Sequence, residues 1–124
     1  MRYTTWMAAA ALLALAACGG ATSPDGGGGG VVGDVTVGND FFRSVSNATQ
    51  NPAVDTIAAG TSVTWAWNAS GSHSVRSTGT PTFRNSAIQA GANDTYSVTF
   101  NTPGTYTYDC AVHGAAMTGR IVVQ

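Results

Sequence analysis

The chain carries few charges, and two common charged residue types are missing from it. Its 124 residues include no lysine and no glutamate, and five arginines face six aspartates. These charges are dispersed, so no basic patch suited to a nucleic-acid backbone is present. Without Arg2, which lies in the N-terminal segment described below, the net charge is about −2. The composition excludes a nucleic-acid partner, and charge alone does not define a protein partner.

Helical periodicity and internal repeats are also absent, and the length leaves room for one domain. From residue 34 onward apolar and polar residues alternate with period two, and Val, Thr, Tyr, Phe and Trp dominate, as is typical of half-buried strands. Seven or eight short strands with turns between them predict an all-β sandwich or barrel. Six of these strands can be placed in the sequence: around Val35 and Val37, at residues 54–58, Val63 to Trp67, Tyr96 to Phe100, Tyr106 to Tyr108, and residues 121–123.

Turn residues separate two of these predicted strands. In Thr102-Pro103-Gly104-Thr105, proline presets φ and glycine accepts the positive φ of a type II turn. The two flanking strands are therefore predicted to form a hairpin. Residues 78–92 are predicted to be mostly loop. The predicted core consists of Trp65, Trp67, Phe83, Tyr96, Val98, Phe100, Tyr106, Ile121 and Val123.

The first 17 residues read as a secretory signal, with Arg2 ahead of an unbroken apolar run over residues 7–17. Leu15-Ala16-Ala17-Cys18 resembles the lipobox of bacterial lipoproteins, which implies cleavage before Cys18 and a lipid on its thiol. Two alternatives stay open: a general signal cut nearby, or a disulfide between Cys18 and Cys110 in an oxidising compartment.

Residues 18–33 are predicted to be a flexible tether, because they are rich in Gly and include five consecutive glycines at 26–30. Such a tether would reach roughly 20–24 Å. We expect an exported domain over residues 34–124, on the periplasmic or extracellular face of the cell envelope. The lipid anchor is its only expected attachment to the membrane.

The residues that carry chemistry are few and closely spaced. Beyond residue 18 the chain has one cysteine, two histidines and one methionine: Cys110, His73, His113 and Met117. Three of them form Cys-x2-His-x3-Met directly after a predicted strand. A soft thiolate, two imidazoles and a weak thioether suit copper as Cu(I) and as Cu(II). The set predicts one copper ion.

The small number of ligand residues excludes other copper chemistries. A multicopper oxidase needs several His-x-His pairs, and this chain has none. A binuclear centre would need a second cysteine between Ala111 and Ala116, where none occurs. We therefore expect no enzyme activity. A copper store or delivery module is the main alternative; a zinc site and a metal-free adhesive sandwich are less favoured.

These stretches resemble the cupredoxins, in particular the plastocyanin, amicyanin and pseudoazurin group of blue copper proteins. The resemblance is carried by residues 60–65, His73-Ser74-Val75, residues 103–110 and residues 117–123. It implies a Greek-key β-sandwich of seven to eight strands with a type 1 copper site. It further implies ligation by His73, Cys110, His113 and Met117, and single-electron transfer between redox proteins by a monomer.

Two departures from that family stand in the ligand region. Ser74 replaces an Asn that often follows the first histidine, and the resemblance implies that its hydroxyl ties the ligand segments while its backbone N–H points at the Cys110 sulfur. The segment between His113 and Met117 is one residue shorter than in plastocyanin and one longer than in amicyanin. The resemblance also implies an electron-transfer patch formed by His113, Gly114, Ala115 and Ala116.

Overall fold

The period-two pattern becomes a set of strands in the computed structural model, which describes residues 33–124. The eight strands are β1 (Val35–Gly38), β2 (Phe41–Ser44), β3 (Ala53–Ile57), β4 (Thr61–Trp67), β5 (Arg76–Thr78), β6 (Thr95–Phe100), β7 (Gly104–Cys110) and β8 (Gly114–Val123). Residues 33–124 contain no helix, and hence none long and apolar enough to cross a membrane.

The strands form two four-stranded sheets, ordered β2-β1-β4-β6 and β3-β8-β7-β5. The β1/β4 and β3/β8 pairs are parallel, and the remaining pairs are antiparallel. The predicted all-β sandwich with seven to eight strands is confirmed.

The core lies between the sheets and follows the alternation of each strand. On β4, Val63, Trp65 and Trp67 are buried. The Trp65 ring meets the Tyr108 ring of β7 edge-on, with centroids 5.3 Å apart. Burying a large apolar side chain stabilises the fold by about 1.5–3 kcal/mol, so these contacts dominate the packing of the two sheets. Three residues of the predicted core are only partly buried against it: Phe83, Tyr96 and Val98.

The predicted hairpin between β6 and β7 is wrong. β6 pairs with β4 in one sheet, whereas β7 pairs with β5 and β8 in the other. The connection through Pro103 therefore crosses from sheet to sheet, and Phe100 and Tyr106 face each other across the core with ring centroids 4.9 Å apart. A turn sequence reverses the chain but does not choose the partner of either strand.

Two short strands, β2 and β5, were not predicted, because three or four residues are too few to show a period. β8 is longer than predicted and begins at Gly114. Gly119 on β8 lies directly under the Tyr108 ring, where an added Cβ would come within 2.1 Å of the ring carbon Cζ. Only glycine leaves room for that ring.

The predicted signal, Cys18 and the tether up to residue 32 lie outside the described residues. Within the described residues, the Asp34 backbone N–H donates to the Thr64 carbonyl at 2.8 Å. The Thr64 N–H donates in turn to Asp34 Oδ2 at 2.7 Å. These bonds fix residue 34 against β4, directly ahead of β1.

Candidate metal centre

The predicted ligands come from two segments at one end of the sandwich. Cys110 is the last residue of β7, and His113 lies in the turn that leads to β8. His73 lies between β4 and β5, where its backbone forms an isolated bridge with Gln89. His73 lies ahead of β5, which begins only at Arg76.

A large bulge shapes the segment between His113 and Met117. Asp109 pairs with Thr118, but Cys110 pairs with Gly114, so residues 115–117 have no partner on β7. Gly114 has φ of 55°, which glycine adopts readily. The bulge turns Met117 into the core, where it is fully buried, and leaves Ala115 and Ala116 exposed.

Ser74 joins the two segments in the way that the resemblance implies. Its backbone N–H donates to Cys110 Sγ at 3.4 Å. Its hydroxyl accepts a hydrogen bond from the Ala111 N–H at 3.0 Å. Both bonds span the gap between the segments, so the positions of His73 and Cys110 are coupled through Ser74.

An ion pair that the sequence analysis missed adds a second link. Arg76 donates through Nε and Nη2 to the two carboxylate oxygens of Asp109, both at 2.8 Å. The Asp109 carboxylate raises the pKa of Arg76 above its ordinary value. The position of each residue next to a ligand segment, with opposite charge, is the only sequence signal for this pair.

The donor atoms of His73, Cys110 and His113 all lie within 4.8 Å of one another. Cys110 Sγ is 3.5 Å from His113 Nδ1, and the two imidazole rings have centroids 4.9 Å apart. A sulfur and a nitrogen bound to one metal ion, at about 2.3 and 2.0 Å, are separated by about 3.5–3.8 Å when they stand roughly 110–120° apart. The separation of Cys110 Sγ and His113 Nδ1 therefore matches two ligands of one ion, and the donor atom of His73 lies beside them.

The surroundings of His73 are those of a histidine that can bind a metal ion. It is 2% exposed, and neither ring nitrogen has a hydrogen-bond partner. Burial lowers the pKa of His73 below its ordinary value, the neighbouring His113 lowers it further and Asp40 opposes the shift in part, so the net effect favours the neutral ring. A buried polar atom without a partner is costly, and a metal ion would satisfy a neutral nitrogen here.

His113 occupies the exposed side of the cluster, with 29% of its side chain accessible. Its Nε2 lies 2.9 Å from Asp40 Oδ1, and the Asp40 side chain is 73% exposed. Asp40 lies in the turn between β1 and β2, far from His113 in the chain. No sequence signal predicts this contact.

The residues that flank His113 in the chain, from Ala111 to Met117, are uncharged. Ala115 and Ala116 are exposed, and Gly114 is partly exposed. Val112 adds a large apolar side chain, 48% exposed, which the sequence analysis did not include.

Comparisons with known proteins place the chain among copper-binding proteins. Residues 46–124 match the model of the copper-binding proteins of the plastocyanin/azurin family. The chain is 36% identical to a chloroplastic plastocyanin of Tetradesmus obliquus, over 59% of this chain and 57% of that protein. It is 36% identical to a plastocyanin of Scenedesmus fuscus, over 59% of this chain and 84% of that protein. It thus spans less than two thirds of the first relative.

Solved structures resemble the sandwich as a whole. A purple cupredoxin from Nitrosopumilus maritimus superposes with a TM-score of 0.58 at 23% identity, covering 73% of this chain and 97% of that one. An oxidised amicyanin variant superposes with a TM-score of 0.52 at 26% identity, covering 59% of this chain and 70% of that one. The likeness confirms the cupredoxin-like fold that the sequence analysis expected.

Proposed function

The chain belongs to the plastocyanin/azurin family of copper-binding proteins and takes one copper ion as its cofactor, and from this premise we propose that it is a type 1 copper protein that carries single electrons between redox proteins. The observation that carries the proposal is the convergence of one buried thiol and two imidazoles within 4.8 Å. In this reading the domain is an electron carrier and not an enzyme.

His73, Cys110 and His113 would hold the ion, and the Met117 thioether would be its fourth and weakest ligand. Bound copper would supply one electron, accepted or released through the Cu(I)/Cu(II) couple. The chain itself contributes hydrogen bonds that hold the ligand residues in fixed positions. Ser74 donates to the Cys110 sulfur and accepts from Ala111, so neither oxidation state requires these two segments to separate.

Electrons would pass through the exposed edge of His113. The surrounding electron-transfer patch, formed by His113, Gly114, Ala115 and Ala116, is small and carries no acidic or lysine/arginine side chain of its own, which allows close approach of a partner; the Asp40 carboxylate lies beside it. Val112 extends the same patch. Removing the His113 ring while copper stays bound should therefore slow electron exchange.

We further propose that the domain is exported and held at the membrane by a lipid on Cys18, with residues 18–33 as its tether. Support comes from the lipobox-like sequence Leu15-Ala16-Ala17-Cys18 and from the Gly-rich composition of residues 18–33. Mass spectrometry of the purified native protein tests this proposal, since a mature chain that begins at an unmodified residue other than Cys18 would contradict it.

The test of the proposed function uses a Cys18→Ser chain, so that Cys110 is its only thiol. On addition of Cu(II) we expect an intense visible thiolate-to-copper absorption that disappears on reduction and returns on oxidation, with an electron paramagnetic resonance signal that follows it. A colourless complex without redox activity would contradict electron transfer and favour copper storage or zinc. His113→Ala, without added imidazole, should then exchange electrons more slowly than the parent chain.

A further inference from the structure

The two ring nitrogens of His113 face different surroundings. Nδ1 lies 3.5 Å from Cys110 Sγ, inside the donor cluster. Nε2 lies 2.9 Å from Asp40 Oδ1, on the outer side of the ring. An acceptor at Nε2 places the ring proton there, and this leaves the Nδ1 lone pair free for a metal.

Asp40 is held by contacts that reach the ligand segment. It occupies the turn between β1 and β2 with φ of 59°, which aspartate tolerates better than most residues. Its carbonyl accepts a hydrogen bond from Asn51 Nδ2 at 2.9 Å. Asn51 Oδ1 accepts from the Phe42 N–H at 3.2 Å and from the Thr118 N–H at 3.4 Å. Asn51 thus links the turn to the residue that follows Met117.

We propose that Asp40 is a positioning residue for His113, which orients the ring, keeps its proton on Nε2 and stabilises the oxidised centre relative to the reduced one. The inference rests on the proposed copper centre and adds a residue from a turn that contributes no ligand. A histidine that binds metal through one nitrogen commonly donates its other N–H to a carboxylate, which makes it a more basic ligand.

The expected effect of Asp40 on the copper centre follows from its negative charge. A carboxylate that accepts the Nε2 proton puts more electron density on Nδ1 and favours Cu(II) over Cu(I). Exposure of Asp40 to solvent screens the interaction, which keeps the effect near the lower end of the 10–100-fold range typical of such outer partners. The net result of Asp40 is a lower reduction potential.

Asp40→Asn is the test variant. Asparagine can adopt the same turn conformation and can accept the same hydrogen bond from His113 Nε2, but it carries no charge. The matched control is Asp34→Asn, which removes an identical charge at a residue bonded to the Thr64 backbone. In the copper-loaded proteins we expect the ratio of Cu(II) to Cu(I) affinity to fall about tenfold in Asp40→Asn, equivalent to a rise in potential of about 59 mV. The control should change the ratio less than twofold.

A second measurement reports on the protonation of the His113 ring. In the Cu(I) protein, the nitrogen-15 resonances of His113 should show a protonated Nε2 whose shift changes in Asp40→Asn and is restored toward the parent value in Asp40→Glu. Equal potentials in Asp40→Asn and Asp34→Asn, with the His113 resonances unchanged, would overturn the inference while the blue centre remains. A parent chain without the blue absorption would instead overturn the proposed function.

Discussion

Two clusters of polar side chains in this sandwich include a deeply buried residue, and the two clusters differ in how its polar atoms are paired. One is the metal cluster of His73, Cys110 and His113; the other is a carboxyl cluster of Asp55, Ser44 and Ser46. Asp55 is 5% exposed, and its Oδ1 accepts from Ser44 Oγ at 2.6 Å and from Ser46 Oγ at 3.4 Å. Asp55 Oδ2 has no partner, whereas His73, which is buried as deeply, has none at either nitrogen.

The difference separates a structural network from a ligand site. Ser44 and Asp55 join β2 to β3, one strand from each sheet, through hydroxyl donors that the chain itself supplies. The metal cluster gathers a thiol and two imidazoles, leaves both nitrogens of His73 without a partner and suits a soft cation. Burial favours the neutral form in both clusters, since it raises the pKa of Asp55 and lowers that of His73.

The largest expected effect comes from removing the thiol of the metal cluster. Cys110→Ser should abolish the intense visible absorption and weaken copper binding by at least about a hundredfold, because loss of an outer partner alone costs 10–100-fold. Competition with a copper chelator measures the affinity. Cys18→Ser is the control and should leave both the visible absorption and the copper affinity unchanged. A Cys110→Ser protein that retains the absorption would show that the thiolate is not a ligand.

Replacing the buried methionine beside the cluster should give the next largest effect. Met117→Ala should lower the free energy of unfolding of the copper-free protein by about 2–5 kcal/mol, because it leaves a cavity. Met117→Leu keeps the volume and should cost less than about 1.5 kcal/mol. Denaturant titration measures both.

The same pair of variants separates packing from ligation. Both lack the thioether, so both should alter the copper spectrum and raise the reduction potential. A Met117→Leu protein with the parent spectrum and potential would contradict the proposed ligation by the Met117 thioether.

A smaller effect is expected at the link between the ligand segments. Ser74→Ala removes the acceptor for the Ala111 N–H and should cost about 1 kcal/mol of stability. The backbone bond from residue 74 to Cys110 Sγ remains, so the copper absorption should persist. Ser74→Asn, which restores an oxygen acceptor, should recover part of the loss on denaturation. Equal losses in both variants would assign the effect to packing.

The carboxyl cluster should give the smallest effect, visible as a dependence on pH. Because burial raises the pKa of Asp55 above its ordinary value of 3.8, the folded state keeps a proton that the unfolded state releases. The contribution of Asp55 to stability therefore falls as pH rises from about 3.8 through the folded pKa, and stays at its lower level above it.

Asp55→Asn removes this titration and should leave copper binding unchanged. Denaturant unfolding of the copper-free proteins from pH 4 to 7 should show the parent chain losing stability relative to the variant. A difference between the two proteins that is constant, or that grows in the opposite direction, would contradict the prediction.

Much of the strand content could be predicted from the sequence, because alternation is a local property. Val63, Trp65 and Trp67 mark a buried face by their spacing alone, and β4 carries them into the core. The partner of each strand is not local. β6 and β7 are neighbours in the chain with a turn between them, yet they lie in opposite sheets, since each finds its longer pairing elsewhere.

For the site, the sequence by itself determined the donor types and the short spacing from Cys110 to Met117, because three of the four donors belong to one segment. The tertiary structure decided what surrounds them. Asp40 reaches His113 only because the turn between β1 and β2 lies at the same end of the sandwich. Hydrogen bonds and ion pairs between distant segments depend on how sheets stack, and no local pattern of residues encodes that.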